Sequence, residues 1–130
     1  TPLPWKAQEE HGGFSAGEPW LPLGEDNCAR AVDRQDADPA SVLNLTRALL
    51  ALRKRHPALR QGIVEKCETV GALLVLDRAV SGERIRCLLN LSDHAIELSA
   101  EQGRGEVLIA VNAATGTRLP PFGALLLREA

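Results

Sequence analysis

The sequence has 130 residues, a formal net charge of −2 at pH 7 and an ordinary hydrophobic content, so it can form one domain, or one small domain with a fragment of another. This charge supplies no basic field for nucleic acid or for an anionic membrane surface. No apolar run reaches the roughly 20 residues that cross a bilayer, and the first residues do not have a signal-peptide layout. We therefore expect neither a nucleic-acid partner nor a membrane partner.

The chain contains no methionine, which indicates a segment of a longer protein. Cys28, Cys67 and Cys87 are odd in number and lack CxxC spacing. This pattern argues against a disulfide framework and against a zinc site. Reduced thiols are typical of cytoplasmic proteins, so we expect a cytoplasmic location without a cofactor or metal ion.

Residues 1–38 show no sustained period of 2 or 3.6, which predicts irregular structure. Such a stretch is long for a loop inside one domain. It is therefore either disordered alone or packed against something outside the chain. Trp5, Phe14 and Trp20 favour packing, because disordered segments seldom carry bulky aromatic residues.

An amphipathic helix is predicted over residues 39–56. Asp38 can accept hydrogen bonds from the first turn, Pro39 suits the first helical position, and Pro57 stops the helix. The apolar positions recur at spacings of three and four and form one wide stripe. They are Val42, Leu43, Leu45, Ala48, Leu49, Leu50 and Leu52. The width of the stripe predicts burial on more than one side.

The rest of the chain is predicted to form strands joined mostly by tight turns. Residues 84–91 alternate strictly, which indicates a strand with one buried face made by the odd-numbered positions. The six predicted strands are Ile63 to Thr69, Ala72 to Val80, Arg84 to Leu91, His94 to Ser99, Glu106 to Val111 and Ala124 to Arg128. We predict an antiparallel β-sandwich after one helix, and hence the α+β class.

No self-sufficient catalytic site is evident. A pair of facing carboxyl groups would suit glycoside hydrolysis, but the candidates lie in the irregular segment, where solvated surface is the simpler interpretation. They are Glu9, Glu10, Glu25, Asp26, Asp33, Asp36 and Asp38. His11, His56 and His94 are scattered and fit no nucleophile or metal motif. We predict no catalytic residue in this chain.

The aromatic residues Trp5, Phe14 and Trp20 allow two interpretations. They can stack on sugar rings, or they can anchor the irregular segment to a neighbouring core. Their composition and position alone favour the anchor.

Several motifs resemble those of bacterial α-glucosidases and oligo-1,6-glucosidases of the α-amylase superfamily, glycoside hydrolase family 13. The stretch Thr1-Pro2-Leu3-Pro4-Trp5, then Gly13-Phe14-Ser15 and Pro19-Trp20-Leu21-Pro22, is similar to the family's TPMPW…GFS…PWLP run. Residues 38–44 and 51–59 resemble the helix that closes its (β/α)8 barrel. Residues 88–92 and 119–124 resemble a strand and a turn of the domain that follows the barrel.

The resemblance implies that residues 1–60 are the tail of a catalytic barrel and that residues 61–130 are a C-terminal β-sandwich domain. It implies a retaining parent enzyme that acts on small α-glucosides, with a nucleophilic Asp, a general-acid Glu and a second Asp, all upstream of Thr1. Trp5 and Phe14 would border the sugar pocket of that parent.

Three hypotheses follow. The first is a non-catalytic piece of an α-glucosidase that binds and stabilises the parent's barrel and meets α-glucosides only through that parent. The second is a free-standing carbohydrate-binding β-sandwich, although the strand region contains no Trp. The third, a small independent hydrolase, is disfavoured by the missing catalytic motif. Without the barrel, self-association through the 39–56 helix is one way to cover its stripe.

Overall fold

The computed structural model describes residues 2–129, apart from the side chain of Glu25. The chain divides into two compact units, with the boundary between Ala51 and Leu52. The first unit contains short helices and the beginning of a long one. The second contains the end of that helix and all the described strands, which gives the predicted α+β class.

The first unit is more regular than the sequence predicts. Two short helices, α1 (Glu25–Ala29) and α2 (Val32–Ala37), lie within the segment expected to be irregular. The amides of Val32 and Asp33 donate to the carbonyls of Pro4 and Trp5 at 3.0 and 3.1 Å. Amides in a helix's first turn need partners from outside the helix. These come from residues far back in the chain, so local periodicity could not reveal α2.

The long helix, α3 (Val42–Arg55), begins later than predicted. Ser41 rather than Asp38 precedes it: the Ser41 carbonyl accepts from Leu45 at 3.0 Å, and its Oγ accepts from Asn44 at 3.2 Å. Asp38 Oδ1 instead accepts from the amide of Ala40 at 2.9 Å. Asp38 and Ser41 are both suitable N-cap residues, and Ser41 is the one that caps α3. Pro57 does follow the end of the helix, as predicted.

The apolar stripe of α3 is mostly uncovered, contrary to the prediction that it is buried on more than one side. Leu52 is buried, at 2 % exposure. Val42 and Leu50 are 73 % and 54 % exposed, and Leu49 is also exposed. Burying each such side chain would contribute about 1.5–3 kcal/mol. The amphipathic pattern thus predicted the helix correctly but not the exposure of its apolar side.

A short helix and an antiparallel sheet follow. The helix α4 is Pro57–Arg60. The strands are β1 (Ile63–Val70), β2 (Leu73–Val80), β3 (Glu83–Asn90), β4 (Ile96–Glu97), β5 (Glu106–Val111), β6 (Arg118–Leu119) and β7 (Ala124–Arg128). Five strands form one sheet in the order β1-β2-β3-β7-β5, and β4 and β6 form a separate pair. The six predicted strands are present, with β4 much shorter than expected, and β6 was not predicted.

The five-stranded sheet has an apolar core on each face. One core contains Leu73, Val75, Leu88, Leu98, Ala114, Leu119, Leu125 and Leu127. The other contains Leu52, Ala58, Leu59, Ile85 and Cys87. Strand β3 contributes Leu88 to the first core and Ile85 and Cys87 to the second, so the prediction of one buried face for this strand is wrong. The even-numbered position Leu88 is apolar because it too is buried.

Asn90 connects the end of β3 to the loops around β4 and β6. Its Nδ2 donates to the carbonyls of His94 and Pro120 at 2.6 and 2.9 Å, and its Oδ1 accepts from the amide and hydroxyl of Ser92 at 3.0 and 2.7 Å. At 3 % exposure, this side chain replaces water for several loop groups. Among the described helices, none is long and apolar enough to cross a bilayer.

The His56–Glu83 contact joins the helical segment to the start of β3, and we predict that it stabilises the fold in a pH-dependent way. Glu83 Oε1 lies 2.6 Å from His56 Nδ1, and Oε2 accepts from the amide of Ala58 at 2.8 Å. Burial alone would raise the pKa of Glu83, but the Ala58 and His56 hydrogen bonds outweigh it and hold that pKa below its ordinary value. The ionised carboxylate therefore stabilises the folded chain fully above that value, and this contribution is lost as the pH falls through the lower pKa of the folded state.

We expect Glu83→Ala to lower the free energy of unfolding by about 1–3 kcal/mol at pH 7, with a smaller loss in acid. Urea unfolding from pH 7 down to about pH 3 measures this difference. Glu97→Ala, at a largely exposed carboxylate, is the control. Equal losses for Glu83→Ala at both ends of the pH range would contradict the prediction.

Asp77 and Arg86 form a buried pair between β2 and β3. Asp77 Oδ1 and Oδ2 accept from Arg86 Nε and Nη2 at 3.0 and 2.9 Å, and Arg86 Nη2 also lies 2.7 Å from Glu129. This hydrogen bonding to Asp77 raises the pKa of Arg86. Removing one member of a buried pair typically costs more than removing both, because it leaves a buried charge unmatched.

We expect Asp77→Leu to lower the free energy of unfolding by about 3–5 kcal/mol and the double change Asp77→Leu with Arg86→Met to recover most of it. A double-mutant cycle in urea, with Arg86→Met as the other single variant, measures the coupling. Additive losses would show that the pair does not act as a unit.

Candidate functional site

The first unit carries an open depression of about 710 Å³ on residues 2–21, which we call the aromatic segment. Apolar side chains dominate its wall. The lining residues are Pro2, Leu3, Phe14, Ser15, Gly17, Glu18, Pro19, Trp20 and Leu21. Most of them belong to the three motifs that carry the family resemblance.

A tight turn at Glu10–Gly13 brings the beginning of the segment close to its middle. The carbonyl of Gly12 accepts from the amides of Trp5 and Lys6 at 2.8 and 3.0 Å. Gly12 and Gly13 have φ values of +63° and +62°, a region that favours glycine. A Cβ on Gly12 would also lie 3.0 Å from the Cβ of Pro4. Gly12 is therefore favoured by both its backbone conformation and the close approach of Pro4, and Gly13 is favoured by its backbone conformation.

Asp33 holds the segment against α2. Both of its carboxylate oxygens accept from the amide of Ala7, at 3.1 and 3.2 Å. The amide of Asp33 in turn donates to Trp5, as described for the start of α2. Asp33, a candidate catalytic carboxylate in the sequence, thus has a positioning role in the structure.

The structure brings only one of the two predicted site residues to the depression. Phe14 is 49 % exposed and lines it, whereas Trp5 is half exposed and is not among the lining residues. Trp20 lines the depression and is 91 % exposed, although it was not predicted to border the sugar pocket. The signal for Trp20 was already present in the Pro19-Trp20-Leu21-Pro22 motif.

The depression is suited to stacking and apolar contact rather than to acid–base chemistry. Phe14 and Trp20 offer aromatic surface, and sugar rings pack their C–H faces on such surfaces. Glu18 is the one ionisable residue among those that line it. Glycoside hydrolysis needs two carboxyl groups at a set separation, and this lining does not supply them.

The other candidate carboxylates have separate places. Asp36 pairs with Arg47, and Asp38 caps the amide of Ala40. Glu9, Glu10 and Asp26 are exposed, and the side chain of Glu25 lies outside the described residues. The described part of the chain does not gather these residues into a catalytic pair.

The histidines and Cys87 are also far from any catalytic arrangement. His56 binds Glu83, and His94 is exposed beside Asp93. Burial raises the pKa of the Cys87 thiol to about 11, so it is protonated at neutral pH. Within residues 2–129, no three His, Cys, Asp or Glu side chains are grouped as metal ligands.

The second unit has a charged depression of about 760 Å³. Its lining residues are Arg84, Arg86, Glu101, Arg104, Gly105, Glu106, Arg128 and Glu129. Arg84 contacts Glu65 at 2.5 Å, Arg86 binds Asp77, and Arg128 pairs with Glu106. Three of the four arginines in the lining are thus matched by carboxylates, and Glu101, Glu106 and Glu129 add negative charge, so the lining is mixed in charge.

Known proteins share much of this sequence and fold. Residues 1–62 match the family "Alpha amylase, catalytic domain". A probable α-glucosidase of Rhizobium meliloti (strain 1021) is 39% identical over 137 residues, which cover 100% of this chain and 24% of the relative. A trehalose-6-phosphate hydrolase of Escherichia coli (strain K12) is 32% identical over 81% of this chain and 19% of its own length.

Solved structures share the fold. The trehalulose synthase MutB of Pseudomonas mesoacidophila MX-45 superposes with a TM-score of 0.86 at 24% identity, over 98% of this chain and 25% of that chain. An isomaltulose synthase of Klebsiella sp. LX3 gives a TM-score of 0.85 at 24% identity, over 98% and 24%. At this identity, the likeness shows the fold alone.

The chain spans about a quarter of the length of these relatives. The family match to residues 1–62 and the α-glucosidase similarity along the whole chain confirm the resemblance seen in the sequence motifs. Residues 1–62 therefore match the catalytic domain of the α-amylase family, and the chain as a whole is similar to a part of the α-glucosidases of that family, glycoside hydrolase family 13.

Proposed function

We propose that this chain is the non-catalytic C-terminal portion of a retaining α-glucosidase that hydrolyses small α-glucosides. Residues 1–60 would complete the catalytic barrel, and residues 61–130 would form its C-terminal β-sandwich domain. The chain would stabilise the barrel, while the catalytic carboxylates would lie in the preceding part of the parent. The parent's location would be cytoplasmic, in keeping with three cysteines that form no disulfide here.

The observation that carries the proposal is the uncovered apolar stripe of α3. A helix of 14 residues with Leu52 as its buried residue leaves Val42, Leu49 and Leu50 in solvent. Amphipathic helices obtain most of their stability from packing of the apolar side. A catalytic barrel that covers this side would supply about 1.5–3 kcal/mol for each side chain that it buries.

The aromatic segment supports the same assignment. The segment has a defined shape, because its backbone amides donate hydrogen bonds to the Gly12 carbonyl and to the Asp33 carboxylate. Its large apolar side chains are nevertheless exposed, namely Leu3, Trp5, Phe14 and Trp20. A defined shape with an apolar surface is typical of a segment that completes a neighbouring structure. In the parent, Phe14 and Trp5 would border the sugar pocket.

A carbohydrate-binding module is the alternative. The 91 % exposure of Trp20 beside Phe14 favours it, because an exposed aromatic pair can stack on a sugar. Sugar binding by the isolated chain would then occur in the first unit. The two functions differ in whether the sugar site needs the barrel.

We expect a chimera to distinguish a barrel-completing segment from an independent module. In it, this chain replaces the matching quarter of the Rhizobium meliloti relative. The chimera should fold and hydrolyse a chromogenic α-glucoside, whereas the chain alone should not. Val42→Asp should lower the free energy of unfolding of the chimera by about 2–4 kcal/mol and that of the isolated chain by less than about 0.5 kcal/mol, because Val42 is exposed in the chain.

Ala51→Asp, at an exposed position on the other side of α3, is the matched control and should affect both proteins weakly. Thermal and urea unfolding, followed together with hydrolysis, measure the effect. An equal response of chimera and isolated chain to Val42→Asp would contradict the covering of the stripe by the barrel.

We expect the isolated chain to bind maltose and isomaltose negligibly, because a half-formed pocket lacks the hydrogen-bonding groups that orient a sugar. Amide and indole proton–nitrogen spectra recorded during titration with each sugar test this. Unmoved peaks support the barrel-completing function. Saturable shifts of the Trp20 indole that disappear in Phe14→Ala would establish the carbohydrate-binding alternative.

A further inference from the structure

Strand β1 lies at one edge of the five-stranded sheet and is exposed along its full length. All eight of its residues are exposed, including Ile63 at 69 %, Val64 at 56 % and Val70 at 58 %. Its outer edge presents backbone N–H and C=O groups that β2 does not use. A long edge strand with exposed apolar residues is a natural template for another strand.

The charges on β1 form a short alternating pattern around Cys67. Lys66 Nζ lies 2.7 Å from Glu68 Oε1, and both side chains are nearly half exposed. Lys66 lies opposite Asp77 of β2, and Glu68 lies opposite Val75, so the two charges share one face of the sheet. Cys67 lies opposite Leu76 and belongs to the other face.

We propose that β1 pairs antiparallel with β1 of a second copy of this chain, about a two-fold axis at Cys67. In this register, Lys66 of each copy lies opposite Glu68 of the other, and the two Cys67 residues lie opposite each other. The interface is isologous, because the same strand serves both partners. The two five-stranded sheets then become one continuous sheet.

Charge selects this register over its neighbours. Residues directly opposed in antiparallel strands interact, and like charges there are destabilising. Moving the axis to Lys66 or to Glu68 opposes two identical charges. An axis midway between two residues would oppose side chains from opposite faces of the sheet, which a two-fold pairing of one edge does not allow. Charged residues on an edge strand ordinarily discourage pairing, and here they discourage the registers about Lys66 and Glu68 while favouring the one about Cys67.

The ends of β1 agree with the same register. The pairing of β1 with β2 shifts between Val64 and Lys66, which leaves Glu65 as a bulge, whereas residues 66–70 pair regularly. Glu65 is bound to Arg84, which holds the bulge in place. Beyond the bulge the register shifts by one residue, so Val70 of one copy lies opposite Ile63 of the other on the same face, and two exposed apolar residues become covered at each end.

The size of the interface sets the expected strength. Stable interfaces bury about 800 Å² on each partner, and one eight-residue strand provides less than this. The dimer is therefore a reversible one whose population rises with concentration in the micromolar to millimolar range. It leaves α3 and the aromatic depression unused, so it is compatible with the barrel-completing function.

Sedimentation velocity of the intact chain over this concentration range tests the pairing. Lys66→Glu and Glu68→Lys each oppose like charges, and each should weaken dimerisation roughly tenfold or more. The double change Lys66→Glu with Glu68→Lys re-creates opposite charges in the same register and should restore the dimer. Amide spectra confirm that every variant remains folded.

Lys54→Glu is the control, because it changes the net charge equally at an exposed position on α3. It should leave the dimer unchanged. The proposal is overturned if the chain stays monomeric over the whole range. It is equally overturned if the dimer survives both single reversals, or if Leu50→Lys on α3 abolishes it while Lys66→Glu does not, since α3 would then be the contact.

Cross-linking locates the axis. In a Cys28→Ser background the remaining cysteines are the exposed Cys67 and the buried Cys87. A short bis-maleimide should join two copies through Cys67, and Lys66→Glu should suppress the cross-link. A cross-link that is unaffected by Lys66→Glu, or one that persists after Cys67→Ser, contradicts an axis at Cys67.

Discussion

The burial of β3 on both of its faces is the constraint on which the second unit depends. This strand lies between β2 and β7, sends Leu88 into one apolar core, and sends Ile85 and Cys87 into the other. The β4–β6 pair and its loops cover the first core, whereas α4 and the end of α3 cover the second. Because side chains alternate along a strand, a slip of one residue would exchange the contents of both cores. The register of β3 therefore determines where every other element of the unit can pack.

A few polar contacts join the elements that these cores bring together. Glu83 begins β3 and binds His56 and Ala58, Asp77 binds Arg86 across the β2–β3 pair, and Asn90 ends β3 with bonds to two loops. Each is largely buried, so each replaces hydration that folding removes. These contacts determine the orientation of the helical segment and the loops on the sheet more than they add to the overall stability. None of them resembles a catalytic arrangement.

The surfaces left open agree with the similarity of this chain to a part of α-glucosidases of the α-amylase family. The α-glucosidase similarity covers the whole chain but about a quarter of the relative. The aromatic depression and the uncovered stripe of α3 are both suited to a partner that completes them. The exposed edge of β1 is different, because its charges are complementary to themselves. We propose different occupants for these surfaces, and a change at Val42 or at Lys66 affects one of them without the other.

Periodicity, turn residues and motifs are local properties, and from them α3, the long strands, the family resemblance and the lack of a catalytic carboxylate pair could be predicted. The sequence predicted Val42 as buried and β3 as buried on one face, since a pattern shows which side is apolar but not what covers it. Tertiary structure alone decided the use of Ser41 as the cap, the helix α2 held by Pro4 and Trp5, and the place of Trp20 beside Phe14. Each of these depends on contacts between residues distant in the chain or on a choice between nearby equivalents, and such contacts form only when the chain folds.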